Sequence, residues 1–217
     1  IVEIIGEDEP YQLDPETIYF VTNLLNKMNL VTIRNKVLNS ALPLRTWIIM
    51  PQRKIITEPD TILREKSATI EKVDNELREL MDDMLETMYA APGIGLAGVQ
   101  VGILKRLIVI DVSVNKEKKN PLFLVNPEII SKSNNTSIYE EGCLSLPGYF
   151  AEIERPAECQ IKYIDYNGKK KEMKANGLLA TCIQHEVDHL NGILFIDYLS
   201  KLKRDMIIKK LVKNKKE

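Results

Sequence analysis

The two histidines of the chain stand four residues apart, in Gln184-His185-Glu186-Val187-Asp188-His189. On a helix that spacing puts both imidazoles on one face, one turn apart, where they can converge on a single metal ion with Glu186 beside them as a general base. A lone histidine is more often a core residue; two at this spacing, with Glu after the first, read as metal ligands. A catalytic centre normally takes a third protein ligand and keeps one position for water. Where metzincin proteases place a third His this chain has Phe195, and the acids after His189 (Asp197, Asp205 and Glu217) lack the helical context of a thermolysin-like ligand. The third ligand is therefore expected upstream, and with no other His the three thiols are the candidates.

Cys182 precedes His185 by three residues but lies about 10 Å along a helix axis from His189, too far for one ion to bridge comfortably. It reads as a small apolar residue near the site, and Cys159, in a predicted strand, reads as core. Cys143 is the favoured third ligand, because glycines flank it in Glu140-Glu141-Gly142-Cys143-Leu144-Ser145-Leu146-Pro147-Gly148 and let backbone approach a ligand closely. A third feature, Gly93-Ile94-Gly95-Leu96-Ala97-Gly98, matches the Gly-x-Gly-x-x-Gly dinucleotide fingerprint. That fingerprint requires a strand before it and a helix after it, whereas here a helix precedes and Val99 to Asp111 reads as extended; no dinucleotide is expected. A loop offering backbone amides to an extended peptide fits better. Gln100 either adds an amide donor to that loop or is a solvated polar residue at its edge.

The elements that must position these residues follow from periodicity and punctuation. A helix capped by Asp74 carries Leu77, Leu80, Met81, Met84, Leu85 and Met88 on one face and ends at Pro92-Gly93. Strands are expected at Leu107 to Ile110, at Leu122 to Val125 (closed by Asn126-Pro127), and around Cys143. Cys159 to Tyr166 and Lys169 to Met173 form a predicted hairpin through Asn167-Gly168. The histidine helix should run from about Gly177 to Leu190, capped by Asn176 and stopped by Asn191-Gly192. A Lys-rich terminal helix with Leu199, Leu202 and Met206 on its apolar side closes the chain. Ahead of all this, Asp14-Pro15 opens an amphipathic helix with Ile18, Val21, Leu24, Leu25 and Met28. The expected division is a 1–49 extension of unknown purpose, a 50–200 catalytic domain and a 201–217 basic helix or tail. The extension's apolar stripe reads as packing onto the main domain, with a partner-binding helix or a segment not made in vivo as alternatives.

Composition sets the outer bounds. The chain has 217 residues, 44% hydrophobic and 28% charged, which excludes a disordered or collagen-like protein. Thirty basic against 31 acidic side chains give a net charge of -1, so no global field argues for a nucleic-acid or membrane-surface partner. Three cysteines form no disulfide framework and suit a reducing compartment. No apolar run approaches the roughly 18 residues of a membrane span, and the acidic start resembles neither a secretory signal nor a transit peptide. A cytoplasmic location is expected, with an organelle as the lesser alternative.

Taken in order, GIGLAGVQ, EGCLSLPG and QHEVDHLNG resemble the three signature motifs of peptide deformylases. The resemblance spans about Pro51 to Leu199 and includes Arg155-Pro156-Ala157-Glu158. One departure stands in the first motif, where the family commonly has Ala-Ala and this chain has Ala97-Gly98. The resemblance implies an α+β fold of mixed, mostly antiparallel sheets around a central metal-binding helix, with the C-terminal helix of the bacterial type. It implies hydrolysis of the N-formyl group from the initiator methionine of new polypeptides, releasing formate. Carried over by motif, Cys143, His185 and His189 hold the metal, and Glu186 is the acid and base. Gln100 and the backbone N–H of Leu144 steady the oxyanion, and Gly93, Ile94, Gly95, Leu178 and Cys182 line the substrate site. The donor set alone suits zinc, iron, nickel and cobalt alike; the resemblance implies Fe(II), with the others able to substitute. It further implies a monomer, and a ribosome contact through Lys201, Lys203, Arg204, Lys209, Lys210 and Lys213, although those side chains equally describe a solvated helix face. An HExxH metalloprotease, and a catalytically silent relative that only binds, are the competing readings. Abundant Lys, Asn and Ile hint at an AT-rich genome such as an intracellular bacterium's.

Overall fold

The structure is a computed structural model that describes residues 53–113 and 119–214, together with Val21, Leu24 and Leu25. The chain divides into two units, Ile1–Ile49 and Met50–Glu217. In the first, Val21, Leu24 and Leu25 are helical, with Val21 and Leu25 buried. The remainder of the helix expected there lies outside the described residues, as do residues 215–217 of the tail.

In the second unit, helix α1 (Asn75–Ala90) begins as its sequence predicts: the Asp74 carboxylate accepts the N–H of Leu77 at 3.0 Å. Its stripe of Leu77, Leu80, Met81, Met84 and Met88 is buried. Seven strands follow: β1 (Gly95–Ala97), β2 (Leu107–Ile110), β3 (Leu122–Lys132), β4 (Thr136–Gly142), β5 (Phe150–Pro156), β6 (Glu158–Ile164) and β7 (Lys170–Asn176). Five of them make a sheet in the order β1-β2-β3-β6-β7, and β4 pairs with β5 alone. Every pair of named strands is antiparallel; the parallel pairing among the described residues is an isolated bridge, Ala68 to Lys105. Helix α2 (Gly177–Leu190) follows β7 directly, and α3 (Lys201–Asn214) ends the chain. The α+β architecture expected from the sequence is the one found.

All four residues of β2 are buried because both faces of the sheet are covered. Ile108 and Ile110 point into the core shared with Ala180, Ile183, Val187 and Leu190 of α2. Leu107 and Val109 point the other way, into the core shared with α1. A third cluster, around Leu63, Leu146, Ile153 and Phe195, seats α3 through Leu211 and the half-buried Ile207 and Ile208. α3 therefore turns a different face inward from the one expected. Leu202 and Met206 are 73% and 49% exposed, since the packed face of the helix runs through Ile207, Ile208 and Leu211 instead. No helix among the described residues is long and apolar enough to cross a membrane.

Three local expectations change. The hairpin reverses over 165–169 rather than over two residues: Ile164 pairs with Lys170, positive φ occurs only at Gly168, and the Asp165 carboxylate accepts the N–H groups of Asn167 and Lys169. Asn176 precedes α2 but makes no side-chain cap, because it is still the last residue of β7, paired with Glu158. The strand from Leu122 does not end at Asn126-Pro127. It bulges there and continues to Lys132, with Asn126 at φ 50° and its side-chain amide bonded to both the N–H and the C=O of Ile70 (2.8 and 2.7 Å). Asparagine fits because its short amide replaces the ladder bonds that the bulge gives up. Asn126→Ala and Asn126→Gly should both destabilise the protein, and alanine by about 1 kcal/mol more, since only glycine tolerates the positive φ. Urea unfolding of the two variants checks the order.

Candidate metal centre and active site

α2 is buried along nearly its whole length, from Ala180 through Val187 and again at His189 and Leu190. It can carry His185, Glu186 and His189 into the interior because the sheet supplies apolar cover on one side and β4 supplies polar partners on the other. The two imidazoles meet edge to face, with ring centroids 5.0 Å apart. Cys143, the residue that follows β4, closes the group: its Sγ lies 3.2 Å from His189 Nε2. One ligand atom from each of Cys143, His185 and His189 lies within 4.8 Å of the others. The thiolate, the two imidazoles and their mutual spacing fit a divalent ion held at about 2.0–2.3 Å from each donor. Phe195, at the metzincin ligand position, is buried and stacks on His185 at 6.2 Å between centroids.

The next layer determines which atom each donor offers. His185 Nδ1 lies 2.8 Å from Glu141 Oε2. Burial alone would raise the Glu141 carboxyl, but hydrogen bonds from His185 and Arg155, and the Arg155 charge, outweigh it and hold the group below the usual carboxylate range. An ionised Glu141 only accepts, so Nδ1 carries the proton and Nε2 keeps its lone pair for an ion. Arg155 bonds Glu141 through Nε and through Nη2 (3.0 Å) and reaches Asp188 Oδ2 through Nη1 (2.7 Å). The Tyr198 hydroxyl donates to that same Asp188 oxygen at 2.9 Å. Burial holds His189 well below its ordinary value, which also frees a lone pair.

Gln100 is 1% exposed, on the short 3-10 turn Gly98–Val101. That turn replaces the start of the stretch expected to be extended. The side-chain carbonyl of Gln100 accepts the N–H of Ala97 at 2.8 Å, which turns the amide nitrogen toward Ser145 Oγ (3.1 Å) and Cys143 Sγ (3.5 Å). Gln100 is therefore a buried donor aimed at the centre and not a solvated loop residue. The neighbouring Gly98 is tightly enclosed: a Cβ there would stand 2.9 Å from the carbonyl oxygen of Ile103. Its departure from Ala-Ala goes with a close approach of the 103–105 backbone.

Glu186 faces a cavity of about 480 Å³. Burial pushes its carboxyl up to about 7, and its Oε2 has no hydrogen-bond partner among the described residues. Strand β1 presses on it, since a Cβ at Gly95 would sit 2.8 Å from Cys182 Sγ and closer still to the Glu186 carboxylate. Gly93, Ile94, Gly95, Leu178 and Cys182 all line the cavity, as does Leu144 in the turn after Cys143. Gln100 and His189 lie behind that wall, and Cys159 packs in the core. Sequence reasoning did not single out Glu141, Arg155, Asp188 and Ser145 as parts of the site. Glu141 carried a faint signal, a second acid just before the glycine and Cys143; the others become neighbours of the Cys143–His185–His189 group only through the fold.

An α+β fold that buries an HExxH helix against a cysteine-bearing turn defines a metal-dependent hydrolase. The family model for polypeptide deformylase matches residues 52–205. The peptide deformylase of Pelagibacter ubique is 63% identical over 166 residues, 76% of this chain and 96% of its own length; that of Rhizobium meliloti is 55% identical over 164 residues, 76% and 94%. The crystal structure of the Ehrlichia chaffeensis peptide deformylase in complex with actinonin superposes with a TM-score of 0.71 at 46% identity, covering 76% of this chain and 98% of that one. The chain belongs to the polypeptide deformylase family.

Because Glu141 fixes the ring that offers its lone pair, Glu141→Gln should weaken divalent-ion binding by about 10- to 100-fold. A chelator-competition titration of the variant against the parent protein measures it.

Proposed function

We propose that this chain removes the N-formyl group from the N-terminal formylmethionine of newly made polypeptides and releases formate. The observation that carries the reading is the convergence of Cys143, His185 and His189 beside a buried, half-unpaired Glu186 at the wall of a cavity. Cys143 Sγ and the Nε2 atoms of both histidines would hold one divalent ion, which supplies Lewis acidity and a water of lowered pKa. Glu186 takes the water proton on its unpaired oxygen and passes it to the departing amine, for which a carboxyl balanced near neutrality is suited. The Gln100 amide and the N–H of Leu144 donate to the oxygen that gains charge. Gly93, Ile94 and Gly95 lead into an edge strand beside the cavity, where an extended peptide can lie. Ile94, Leu178 and Cys182 wall the methionine side chain.

Iron(II) is the proposed native ion, with zinc, nickel or cobalt able to take the same donors. A monomer in a bacterial cytoplasm is the proposed working form. α3 presents Lys201, Lys203, Lys209, Lys210 and Lys213, with Arg204 half-buried beside them, as a basic surface suited to ribosomal RNA. The proposed division is a 1–49 extension of unknown function, a 50–200 catalytic domain and a 201–217 basic helix or tail. A metalloprotease and a silent binding protein are not favoured, since Phe195 is no ligand and neither Glu186 nor a metal donor is missing.

Protein purified without oxygen and loaded with Fe(II) should release formate from a formyl-Met tripeptide and leave an acetyl-Met tripeptide intact; no release with the ion bound defeats the reading. Glu186→Ala should keep the ion and lose turnover by at least about 100-fold. Cys143→Ala should fail to hold the ion through dialysis, as metal analysis of the dialysed protein would record.

A further inference from the structure

Most of the cavity wall beside Glu186 is apolar or backbone, but α2 contributes one buried hydroxyl. Thr181 lines the cavity and is 4% exposed, and its Oγ1 has no hydrogen-bond partner among the described residues. A threonine inside a helix ordinarily returns its hydroxyl to a carbonyl one turn back; this one does not. A hydroxyl buried without a partner is unfavourable, so its retention at a ligand cavity points to a partner that the ligand brings.

The position identifies that partner. Thr181 stands one turn before His185 on α2, about 6 Å along the helix axis. In a formylmethionyl peptide the thioether sulfur is five bonds from the formyl carbon, a span of comparable length. With the formyl group at the Cys143–His185–His189 cluster, the sulfur reaches the level of Thr181. Ile94, Leu178 and Cys182 enclose the methylenes around it. Cys182 does not compete for the hydroxyl, because its thiol is directed at the carbonyl of Ile94 (3.7 Å).

We propose that Thr181 is a specificity-determining residue whose hydroxyl donates to the thioether sulfur of the substrate methionine, so that the site recognises sulfur and not only an unbranched apolar side chain. The inference rests on the deformylase reading of the cavity. A thioether is a weak acceptor, so the effect is modest and appears as discrimination between methionine and norleucine, its sulfur-free near-isostere. Norleucine leaves the hydroxyl unpaired.

The test compares kcat/KM for formyl-Met and formyl-norleucine tripeptides on the Fe(II)-loaded full chain, its Thr181→Val variant, which keeps the shape and removes the hydroxyl, and its Thr181→Ser variant, which keeps the hydroxyl. The parent protein should favour methionine by about fivefold, equivalent to roughly 1 kcal/mol. Thr181→Val should bring the ratio to about one, and Thr181→Ser should retain the preference. A parental ratio in Thr181→Val, or a ratio of one in the parent, overturns the inference while leaving the deformylase reading standing. No formate from either peptide with the parent protein overturns both.

Discussion

The hydrogen bond between His185 Nδ1 and the Glu141 carboxylate is the contact on which the rest of the site depends. It joins the histidine helix to the two-stranded sheet, and it determines the tautomer that leaves the other ring nitrogen open. Glu141 is the penultimate residue of β4, and Cys143 lies just past the end of that strand. The strand that orients one proposed metal donor therefore delivers another. Were β4 to shift by one residue against β5, Glu141 would turn to solvent and the thiol would leave the imidazoles.

A carboxylate only 5% exposed is stable only if its charge is answered, and Arg155, itself 4% exposed, answers it. Arg155 stands on β5, opposite Ser137 in the register, and its guanidinium also reaches Asp188 on α2. The network thus closes a loop from sheet to helix and back. Such networks contribute little net stability, because desolvation offsets most of the attraction. Their effect is geometric: with each charge paired, one arrangement of α2 against β4 and β5 is strongly preferred. Tyr198 completes it by donating to Asp188 while its ring lies 4.7 Å from the guanidinium carbon.

What could be read from sequence was what local periodicity encodes. His185, Glu186 and His189 declared themselves because one helical turn brings them together whatever the fold. The stripe and cap of α1 were legible for the same reason. Cys143 was reached by elimination among three thiols, with help from its glycine neighbours. The partners of His185 were not legible, since Glu141 is 44 residues away from it and Arg155 stands 14 residues from Glu141, between the two. Nothing local distinguishes either from a solvated charge. The bulge at Asn126 was read as a strand end because its bonds go to Ile70, 56 residues earlier. The packed face of α3 is not the Leu202 and Met206 side that the sequence suggests, because tertiary contacts select Ile207, Ile208 and Leu211.

The glycine of β1 shows how closely catalysis and packing are bound together in this fold. Gly95 pairs with Ile110 on one edge and meets the Glu186 carboxylate on the other. A side chain there would need the space that the carboxylate occupies. The absence of a side chain lets the sheet edge approach the helix closely enough to exclude water from one oxygen of Glu186. Burial, to which this approach contributes, is the main cause of its raised affinity for a proton. The strand available to an extended peptide is thus the same strand that desolvates the proposed base. A peptide laid along β1 would cover the cavity further, and its seating and the proton affinity of Glu186 would rise and fall together.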